Sequence, residues 1–290
     1  MTPSPDLLAD LSADELLADA RSVGVPERDL PEASVLVGRR IVLEGAFNLR
    51  DIGGYQTADG RTIAWRRVLR SDHLNALTDR DVALLASFGL ARILDFRLEK
   101  ERDRQPSRLP EPAPPVTLLN VGDAGTDVAA VDVVHDILAG RIPLPAASYW
   151  DEGYLDLLER GRPMFVAVVS ALADPDHLPA LFHCTGGKDR TGLSAFMLLT
   201  LLGVDRATAT SDFLATNAYR TPTRARALSD QLGAVGIEVA AALPILGVTR
   251  SALDTALDAI EAAEGTVEAY LLAGGMDASV PERLRATLLV

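Results

Sequence analysis

The residue pair in this chain best suited to chemistry is a thiol and a guanidinium six residues apart. Cys184 and Arg190 lie in residues 181–192, LFHCTGGKDRTG, where an apolar segment runs into a glycine-bearing loop and then into the apolar residues 193–204. This order predicts a strand, a tight loop and a helix N-terminus. Such a loop can surround one phosphate group, because glycines let successive backbone N–H groups point inward and the helix start adds unpaired N–H groups.

These residue types support the attack of a thiolate on phosphorus. A free thiol has a pKa of about 8.5, but inward N–H groups, the helix start and Arg190 all favour the charged thiolate. We expect Cys184 to form a thiophosphate intermediate that water then hydrolyses. The loop N–H groups and the fork of Arg190 would hold the three equatorial oxygens, so that most of the catalysis is electrostatic and positional.

The loop resembles the signature of the cysteine-dependent phosphatases, which is His-Cys, five residues, Arg, and then Ser or Thr. In the form HCxxGKDRTG it is most similar to the bacterial atypical tyrosine phosphatases, a group that includes phosphoinositide-cleaving enzymes. The resemblance implies that His183 braces the cysteine backbone and that Thr191 donates its hydroxyl to the sulfur in the second step. The phosphate-binding residues that it implies are Thr185, Gly186, Gly187, Lys188, Arg190 and Thr191.

A second stretch, far earlier in the chain, carries the same resemblance. It reads NLRDIGGY over residues 48–55 and is followed by RSD at residues 70–72, which is similar to the N-terminal signature of the same phosphatases. The paired glycines of this stretch are typical of a turn. We expect Arg50 and Asp51 to tie the loop down rather than to contact the substrate.

The leaving oxygen needs a proton, and two carboxylates could supply it. Asp189 lies inside the loop beside Arg190, matches the acid in the signature of the similar phosphatases, and is the favoured candidate. Asp95 ends an earlier predicted strand, from which a separate acid could reach the site, but it could also be a structural partner of Arg97. The Trp-Pro-Asp loop of the eukaryotic tyrosine phosphatases is not present, because neither tryptophan is followed by proline.

Lys188 places a second cation beside Arg190, which is more positive charge than one phosphomonoester requires. The hypothesis is therefore hydrolysis of phosphotyrosine, with phosphoinositides, phosphoserine and phosphothreonine as further substrates. The alternative is an inactive phosphate-binding module of the same fold, against which the intact Cys184 and Arg190 argue. A phosphate-loop NTPase is disfavoured, because Asp189 replaces the metal-binding Ser or Thr and Phe182 replaces the first Gly. A sulfurtransferase loop also begins with Cys, but Arg190 at this distance argues against it.

The amino-acid composition excludes several other classes of protein and of partner. A hydrophobic content of 48% in 290 residues is sufficient for a substantial core. The net charge of −13 disfavours nucleic acid as a partner. The single cysteine excludes an internal disulfide, and the four histidines do not have the spacing of a metal site. We expect neither a metal nor another cofactor.

The chain shows no signal for secretion or membrane insertion. Its N-terminus lacks the basic segment and apolar core of a signal peptide, and its longest apolar run, about a dozen residues, is too short to span a bilayer. We therefore expect a cytoplasmic protein that acts on phosphorylated protein or phosphoinositide substrates without stable membrane insertion. Export by a route that needs no signal peptide is the alternative.

Strands that alternate with helices, and an active loop at the carboxyl end of a strand, predict an α/β fold. Thr78 is the expected N-cap of one of the helices. The resemblance implies a mixed central β-sheet flanked by helices, the cysteine phosphatase-like fold, with a helical C-terminal part. Strands are expected over residues 35–43, 91–96, 116–121 and 178–183, and helices over residues 6–20, 78–88, 149–158 and 163–173.

The domain boundary is expected near residue 33. Residues 1–33 would form an N-terminal helical extension, and residues 34–290 a single cysteine-phosphatase domain. Within that domain, a helical lid in residues 205–247 could fold over the site, with ordinary packing as the alternative.

Overall fold

Four parallel strands and one antiparallel edge strand form the central sheet. The structure is a computed structural model that describes residues 11–120, 130–146 and 148–290. In these residues the strand order is β1-β2-β5-β3-β4, with β1 antiparallel to β2 and the other pairs parallel. The strands are β1 Arg50–Asp51, β2 Val68–Ser71, β3 Arg92–Asp95, β4 Val116–Leu118 and β5 Ala180–His183. The prediction of a mixed sheet flanked by helices is confirmed.

The strand β5 occupies the centre of the sheet, and all four of its residues are buried. Its last residue, His183, is in register with Ser71 of β2 on one side and with Asp95 of β3 on the other. The three strands therefore end at the same level. In an α/β sheet, the crevice beyond the carboxyl ends of the strands is where ligands bind, and the loop after His183 opens into this edge.

Helices surround the sheet and make up the C-terminal part of the chain. In the described residues they are α1 Ala13–Ser22, α2 Ala33–Leu36, α3 Asp79–Ser87, α4 Glu99–Arg104, α5 Ala130–Leu138, α6 Ser148–Leu172, α7 Asp189–Leu202, α8 Arg206–Leu214, α9 Thr216–Tyr219, α10 Thr221–Ala234, α11 Val239–Leu246, α12 Arg250–Glu264, α13 Val267–Ala273 and α14 Val280–Leu288. None of these helices is both long enough and apolar enough to cross a membrane.

The helix α7 is the central helix of the domain. It begins directly after Lys188, and nearly all of its side chains are buried between the sheet, α6, α8, α13 and α14. A helix that is apolar on every face is expected to be enclosed in this way. It ends at Gly203, whose φ of 91° is the left-handed conformation that closes many helices. The burial of α7 fixes the position of the loop that precedes it.

The helix α3 begins where its sequence predicts. The Thr78 side chain accepts a hydrogen bond from the Asp81 backbone N–H, and the Asp81 carboxylate accepts one from the Thr78 N–H, which confirms Thr78 as the N-cap. The same carboxylate also accepts hydrogen bonds from the backbone of Glu44 and Gly45. Asp81 therefore caps α3 and also anchors the loop that leads into β1.

The predicted strand over residues 35–43 is wrong. The structure has the short helix α2 followed by irregular backbone, with only an isolated bridge between Arg40 and Arg50. The Arg39 guanidinium turns inward instead, where it stacks 3.5 Å from the centre of the Tyr55 ring and donates to the Gly53 carbonyl. Val35 and Ile41 are buried in the core without forming a strand, because packing outweighs a weak strand propensity.

The two helices predicted around Pro163 are one continuous helix, α6, of 25 residues. Proline removes one backbone hydrogen bond and normally ends or kinks a helix. Here the buried face continues on both sides of Pro163, from Tyr154 to Phe165, and packs against α7 and α12. In the adjoining turn the Tyr270 hydroxyl donates to the Leu158 carbonyl at 2.6 Å. Tertiary packing therefore compensates for the proline.

The N-terminal segment is described from residue 11 onward, so the first part of the helix predicted over residues 6–20 lies outside the described residues. In the described part, α1 packs against α2, α9 and α10. Arg226 of α10 also pairs with Asp19 of α1. The helices α8 to α11 fall within residues 205–247.

Candidate active site

The loop between β5 and α7 turns a backbone N–H toward the only thiol of the chain. The N–H of Gly187 donates to the Cys184 sulfur, with 3.2 Å between nitrogen and sulfur. Gly187 has a φ of 62°, and a Cβ at this position would lie 2.5 Å from the Ser71 carbonyl oxygen. Only glycine fits here, because both the conformation and the close backbone approach exclude a side chain. This hydrogen bond fixes the Cys184 sulfur on the inner side of the loop.

Arg190 is held in one orientation by a carboxylate from α4. Its Nη1 and Nη2 atoms donate to the two oxygens of Glu101 at 2.8 and 2.9 Å, and Nη1 also donates to the Phe96 carbonyl at 2.9 Å. The Thr185 hydroxyl donates to the same carboxylate. Burial would raise the pKa of Glu101, but the hydrogen bonds and charge of Arg190 lower it to about 2. Glu101 is therefore ionised near neutral pH.

The contacts of Arg190 leave one edge of its guanidinium open. A guanidinium has five N–H bonds. In the part of the chain that the structure describes, three of these bonds are used by Glu101 and Phe96, which leaves Nε–H and the second hydrogen of Nη2. These two N–H bonds lie on one edge, and that edge has the geometry for two oxygens of one phosphate.

The carbonyl groups of the loop are bound from the opposite side. The Asn48 amide donates to the carbonyls of Gly186 and Gly187 at 3.3 and 2.9 Å, and Arg70 Nη2 donates to the Gly187 carbonyl at 2.9 Å. With these oxygens turned outward and fixed, the N–H groups of the loop are available on the inner side, as in an anion-binding nest.

A buried ion triad supports these contacts. Asp212 of α8 pairs with Arg50 at 3.1 Å and with Arg70 at 2.6 Å, and all three side chains are fully buried. Arg50 also donates to the Asn48 side-chain oxygen at 2.6 Å. Burial opposes ionisation of Asp212, but Arg50 and Arg70 lower its pKa to about 2. Two guanidiniums and one carboxylate leave a net positive charge beneath the loop.

Asp189, in the first turn of α7, is bound by two side chains. The Tyr154 hydroxyl donates to Oδ1 at 2.8 Å, and Lys188 Nζ lies 3.0 Å from Oδ1 and 2.9 Å from Oδ2. Burial raises the pKa of Tyr154 well above its usual value, and the Asp189 charge adds to this shift. Tyr154 is therefore a donor under all ordinary conditions. The Asp189 side chain nevertheless keeps 26% of its surface exposed.

Asp95, the other candidate acid, is enclosed by Arg97. The side-chain nitrogens of Arg97 donate to both Asp95 oxygens at 2.8 to 3.1 Å, and the Arg97 backbone N–H adds a bond of 3.0 Å. Burial raises the pKa of Asp95, but the hydrogen bonds of Arg97 and the charge of His183 lower it overall. Asp95 lines a cleft of about 320 Å³ with Arg97 and His183, and only 4% of its side chain is exposed.

His183 and Thr191 lie on either side of the thiol in sequence and are both buried. His183 Nδ1 lies 3.1 Å from the Cys184 carbonyl oxygen, which can only accept, so the tautomer with its proton on Nδ1 fits. Burial lowers the pKa of His183, against the opposing charge of Asp95. Among the described residues, the Thr191 hydroxyl has no hydrogen-bond partner.

The candidate residues therefore fall into four groups. Most of them line the loop itself: Cys184, Thr185, Gly186, Gly187, Lys188, Asp189, Arg190 and Thr191. Arg50 lies behind the loop and reaches it through Asn48. Asp95 approaches it only through His183, at 3.8 Å. Asp51 lies elsewhere, where it accepts hydrogen bonds from the backbone N–H groups of Gly53 and Arg66.

Sequence reasoning missed five residues that bind the loop or its side chains: Asn48, Arg70, Glu101, Tyr154 and Asp212. Asn48 and Arg70 belong to the two N-terminal motifs, so the resemblance could have assigned them a role. Glu101, Tyr154 and Asp212 lie in helices whose sequences carry no local signal of a site. They become recognisable only when the fold places them beside the loop.

The structure has a mixed sheet flanked by helices, and the loop after the central strand carries a thiol and is followed by a fixed arginine. This combination defines the cysteine-type phosphatase class. The family model described as "Tyrosine phosphatase family" matches residues 41–290. The chain belongs to this tyrosine phosphatase family, and it is a phosphoric monoester hydrolase of the protein tyrosine phosphatase type.

Three bacterial relatives are similar to the chain. One from Cupriavidus necator, named as a tyrosine-protein phosphatase, is 31% identical over 83% of this chain and 86% of its own length. The triple specificity protein phosphatase PtpB of Mycobacterium tuberculosis is 27% identical over 85% of this chain and 98% of its own length. A tyrosine-protein phosphatase of Nostoc commune is 30% identical over 48% of this chain and 44% of its own length.

Proposed function

We propose that the chain hydrolyses phosphotyrosine without a metal, through a cysteinyl-phosphate intermediate. The observation that supports this proposal is that the Cys184 sulfur and the open edge of Arg190 both belong to the loop and helix start that would surround a phosphate. The Cys184 sulfur accepts a backbone N–H of the loop, and Arg190 is fixed by Glu101 with one edge open. A phosphate bound there would meet N–H donors on one side and the guanidinium edge on another, with sulfur facing its phosphorus.

In the first step, the Cys184 thiolate attacks phosphorus. An S–P bond forms, the P–O bond to the leaving group breaks, and the leaving oxygen takes a proton from Asp189. The loop N–H groups and Arg190 hold the equatorial oxygens while their charge redistributes. Because the loop and Arg190 are already fixed, they do not have to reorganise during the reaction.

Asp189 is the acid that the contacts favour. It lies in the first turn of α7, directly after the loop; it is partly exposed, and Tyr154 and Lys188 hold its carboxylate in place. Asp95 has both oxygens engaged by Arg97 and is nearly enclosed. An acid must reach the leaving group to give it a proton, and only 4% of the Asp95 side chain is exposed, against 26% for Asp189. We therefore assign Asp95 a structural role beside His183.

In the second step, water attacks the phosphorus of the intermediate. Its proton passes to the Asp189 carboxylate, a P–O bond forms, and the S–P bond breaks to regenerate the thiolate and release inorganic phosphate. The Thr191 hydroxyl would donate to the sulfur as it leaves, and its lack of another partner in the described residues supports this role. His183 braces the Cys184 carbonyl throughout.

The substrate range that we propose is broader than phosphotyrosine. Lys188 adds a cation to the loop, and the Mycobacterium tuberculosis relative is named a triple specificity phosphatase. Both observations support activity on phosphoserine, phosphothreonine and phosphoinositides. The alternative, an inactive phosphate-binding module, has no support from the loop, since Cys184 and Arg190 are both present and positioned together with Asp189.

The test uses a series of aryl phosphates whose leaving groups differ in acidity, in the presence of a metal chelator. The wild-type protein is expected to turn over all of them and to be inhibited by vanadate. The Cys184→Ser variant is expected to be inactive. Asp189→Asn should lose roughly 100-fold or more, and most with poor leaving groups. Asp95→Asn should keep the leaving-group dependence of wild type. An active Cys184→Ser variant would contradict the mechanism, and a steeper leaving-group dependence in Asp95→Asn would exchange the two acids.

A further inference from the structure

A second group of cations lies beside the catalytic loop. Arg220 and Arg224 are one helical turn apart at the start of α10, where the backbone N–H of Arg224 donates to the backbone carbonyl of Arg220. A Cβ placed at Gly186 would lie 3.9 Å from the Arg220 guanidinium carbon and 3.2 Å from Cγ of Lys188. The Arg220 guanidinium therefore lies directly against the phosphate-binding loop, on the side where Lys188 also lies.

A histidine joins these arginines. The backbone N–H of His73, two residues after β2, donates to the Thr185 carbonyl at 3.1 Å, which fixes His73 to the loop. Burial lowers the pKa of its side chain; the nearby Asp72 opposes this shift, and the charges of Arg220 and Arg224 add to it. Its Nδ1 atom is buried and has no hydrogen-bond partner in the described residues. An unpartnered buried ring nitrogen is uncommon and calls for an explanation.

The positive charge of this group is poorly compensated. The nearest carboxylate to Arg220 is Asp72, at 3.8 Å, and Asp72 already accepts hydrogen bonds from the backbone N–H groups of Phe47 and Asn48. In the part of the chain that the structure describes, Arg224 forms no ion pair or side-chain hydrogen bond. Arg224 is exposed as a whole, but partial burial of its guanidinium lowers its pKa, and the charge of Arg220 lowers it further.

Such an arrangement is slightly unfavourable without a ligand. Like charges four residues apart on a helix destabilise it. The chain has 41 acidic residues and only 28 basic ones, yet in the described residues it places no close carboxylate on Arg224. Local arrangements that oppose stability are characteristic of functional sites. An anion bound between Arg220, Arg224 and His73 would remove the repulsion and satisfy the open donors.

We propose that Arg220, Arg224 and His73 form a second anion subsite, which holds a second phosphate group of a substrate whose first phosphate occupies the catalytic loop. The proposal rests on the proposed function above and extends it to compact substrates that carry two neighbouring phosphomonoesters. Arginine forks suit the several oxygens of a phosphate better than they suit a single carboxylate. The position of the Arg220 guanidinium beside Gly186 would place the two anions side by side.

The experiment compares matched substrates and matched variants. The first substrate pair is catechol bisphosphate and phenyl phosphate, and the second pair is an inositol bisphosphate and an inositol monophosphate, with released inorganic phosphate as the readout. The variant is Arg224→Gln. Its control is Arg226→Gln, which makes the same charge change on the same helix but at a residue paired with Asp19 of α1. The measured quantity is the ratio of kcat/KM for the bisphosphate to kcat/KM for the monophosphate.

We expect wild type and Arg226→Gln to prefer both bisphosphates, and Arg224→Gln to lower the ratio about tenfold, as loss of one charge-assisted contact would. Arg224→Lys should recover part of the ratio, since it restores the charge without the fork. Salt should lower the ratio in wild type more than in Arg224→Gln.

Equal ratios in Arg224→Gln and Arg226→Gln would overturn the subsite. A loss in Arg224→Gln that appears only with phosphopeptides bearing a neighbouring acidic residue would also overturn it, in favour of a peptide-binding role. A wild-type protein that turns over phenyl phosphate but shows no preference for the bisphosphates would refute this inference and leave the proposed function intact. Failure to hydrolyse any of the four compounds would instead refute the proposed function.

Discussion

The carboxylate of Glu101 holds the guanidinium of Arg190 through two hydrogen bonds of 2.8 and 2.9 Å, across 89 residues of sequence. This pair leaves the Nε edge of Arg190 pointing away from Glu101. A long arginine side chain has many rotamers, and fixing it costs conformational entropy. Because Glu101 fixes the arginine before any substrate arrives, binding of a phosphate does not incur that cost.

Replacement of Glu101 by glutamine should therefore impair catalysis, in addition to the stability lost with this nearly buried ion pair. In Glu101→Gln we expect kcat/KM for an aryl phosphate to fall roughly 10- to 100-fold, because a misplaced Arg190 no longer matches the phosphate oxygens. Steady-state kinetics would measure the change. Glu99→Gln, an exposed residue in the same helix, is the matched control and should behave as wild type. Equal activity in the two variants would show that Glu101 does not orient Arg190.

Tyr154 should affect the acid–base residue specifically. Tyr154→Phe removes the hydroxyl that donates to Asp189 at 2.8 Å and leaves the ring packed. We expect kcat to fall about 10-fold or more with poor leaving groups, as loss of one hydrogen bond to a carboxylate predicts, and less with good ones. Tyr149→Phe, an exposed position in the same helix, is the control. A uniform loss across all leaving groups would point to a packing effect instead.

Asp212 should be chiefly a stability residue. Asp212→Asn leaves Arg50 and Arg70 buried without their counter-charge. The free energy of unfolding should fall by about 3–5 kcal/mol, as for other broken buried ion networks. Urea unfolding would measure it, with the exposed Asp258→Asn as a control that should change stability by about 0.5 kcal/mol or less. A change in Asp212→Asn as small as that in the control would show that the triad is dispensable.

Stability should decrease in acid, with a window set by Glu101 and Asp212. The folded state lowers the pKa of each to about 2, from ordinary values of 4.5 and 3.8. A lowered carboxylate pKa adds stability above the unfolded-state pKa, and this stability is lost as pH falls toward the folded-state pKa. The free energy of unfolding should therefore decline between about pH 4.5 and pH 2.

Glu101→Gln provides the check on that window. Removal of one titrating group should reduce the slope of unfolding free energy against pH by up to about 1.4 kcal/mol per pH unit in the window. Denaturant unfolding at several pH values would measure the slope, which does not depend on the overall stability of the variant. An unchanged slope would show that Glu101 does not titrate with a lowered pKa.

Local sequence patterns predicted much of the fold and of the catalytic loop. Residues 181–192 contain a strand end, a glycine loop and a helix start in one short segment, so that their arrangement follows from chain geometry. The same holds for Thr78, whose cap depends on a residue three positions away. The family and the mixed sheet followed from motifs of this kind.

Local patterns failed where packing between distant segments decides. Residues 35–43 have the composition of a strand but form only an isolated bridge, between Arg40 and Arg50, and the Arg39 side chain is buried against Tyr55. Pro163 predicts a break that α6 does not show, because the apolar face of the helix is held on both sides of the proline.

The sequence by itself determined the fold class, the family and the loop that brings Cys184 near Arg190, because each depends on residues close together in the chain. Only the tertiary structure decided what holds that loop in place. Glu101 reaches Arg190 across 89 residues, and Asp212 reaches Arg50 across 162. The physical reason is that a buried charge must find its partner in space, and the fold, rather than the spacing along the chain, determines which carboxylate is there.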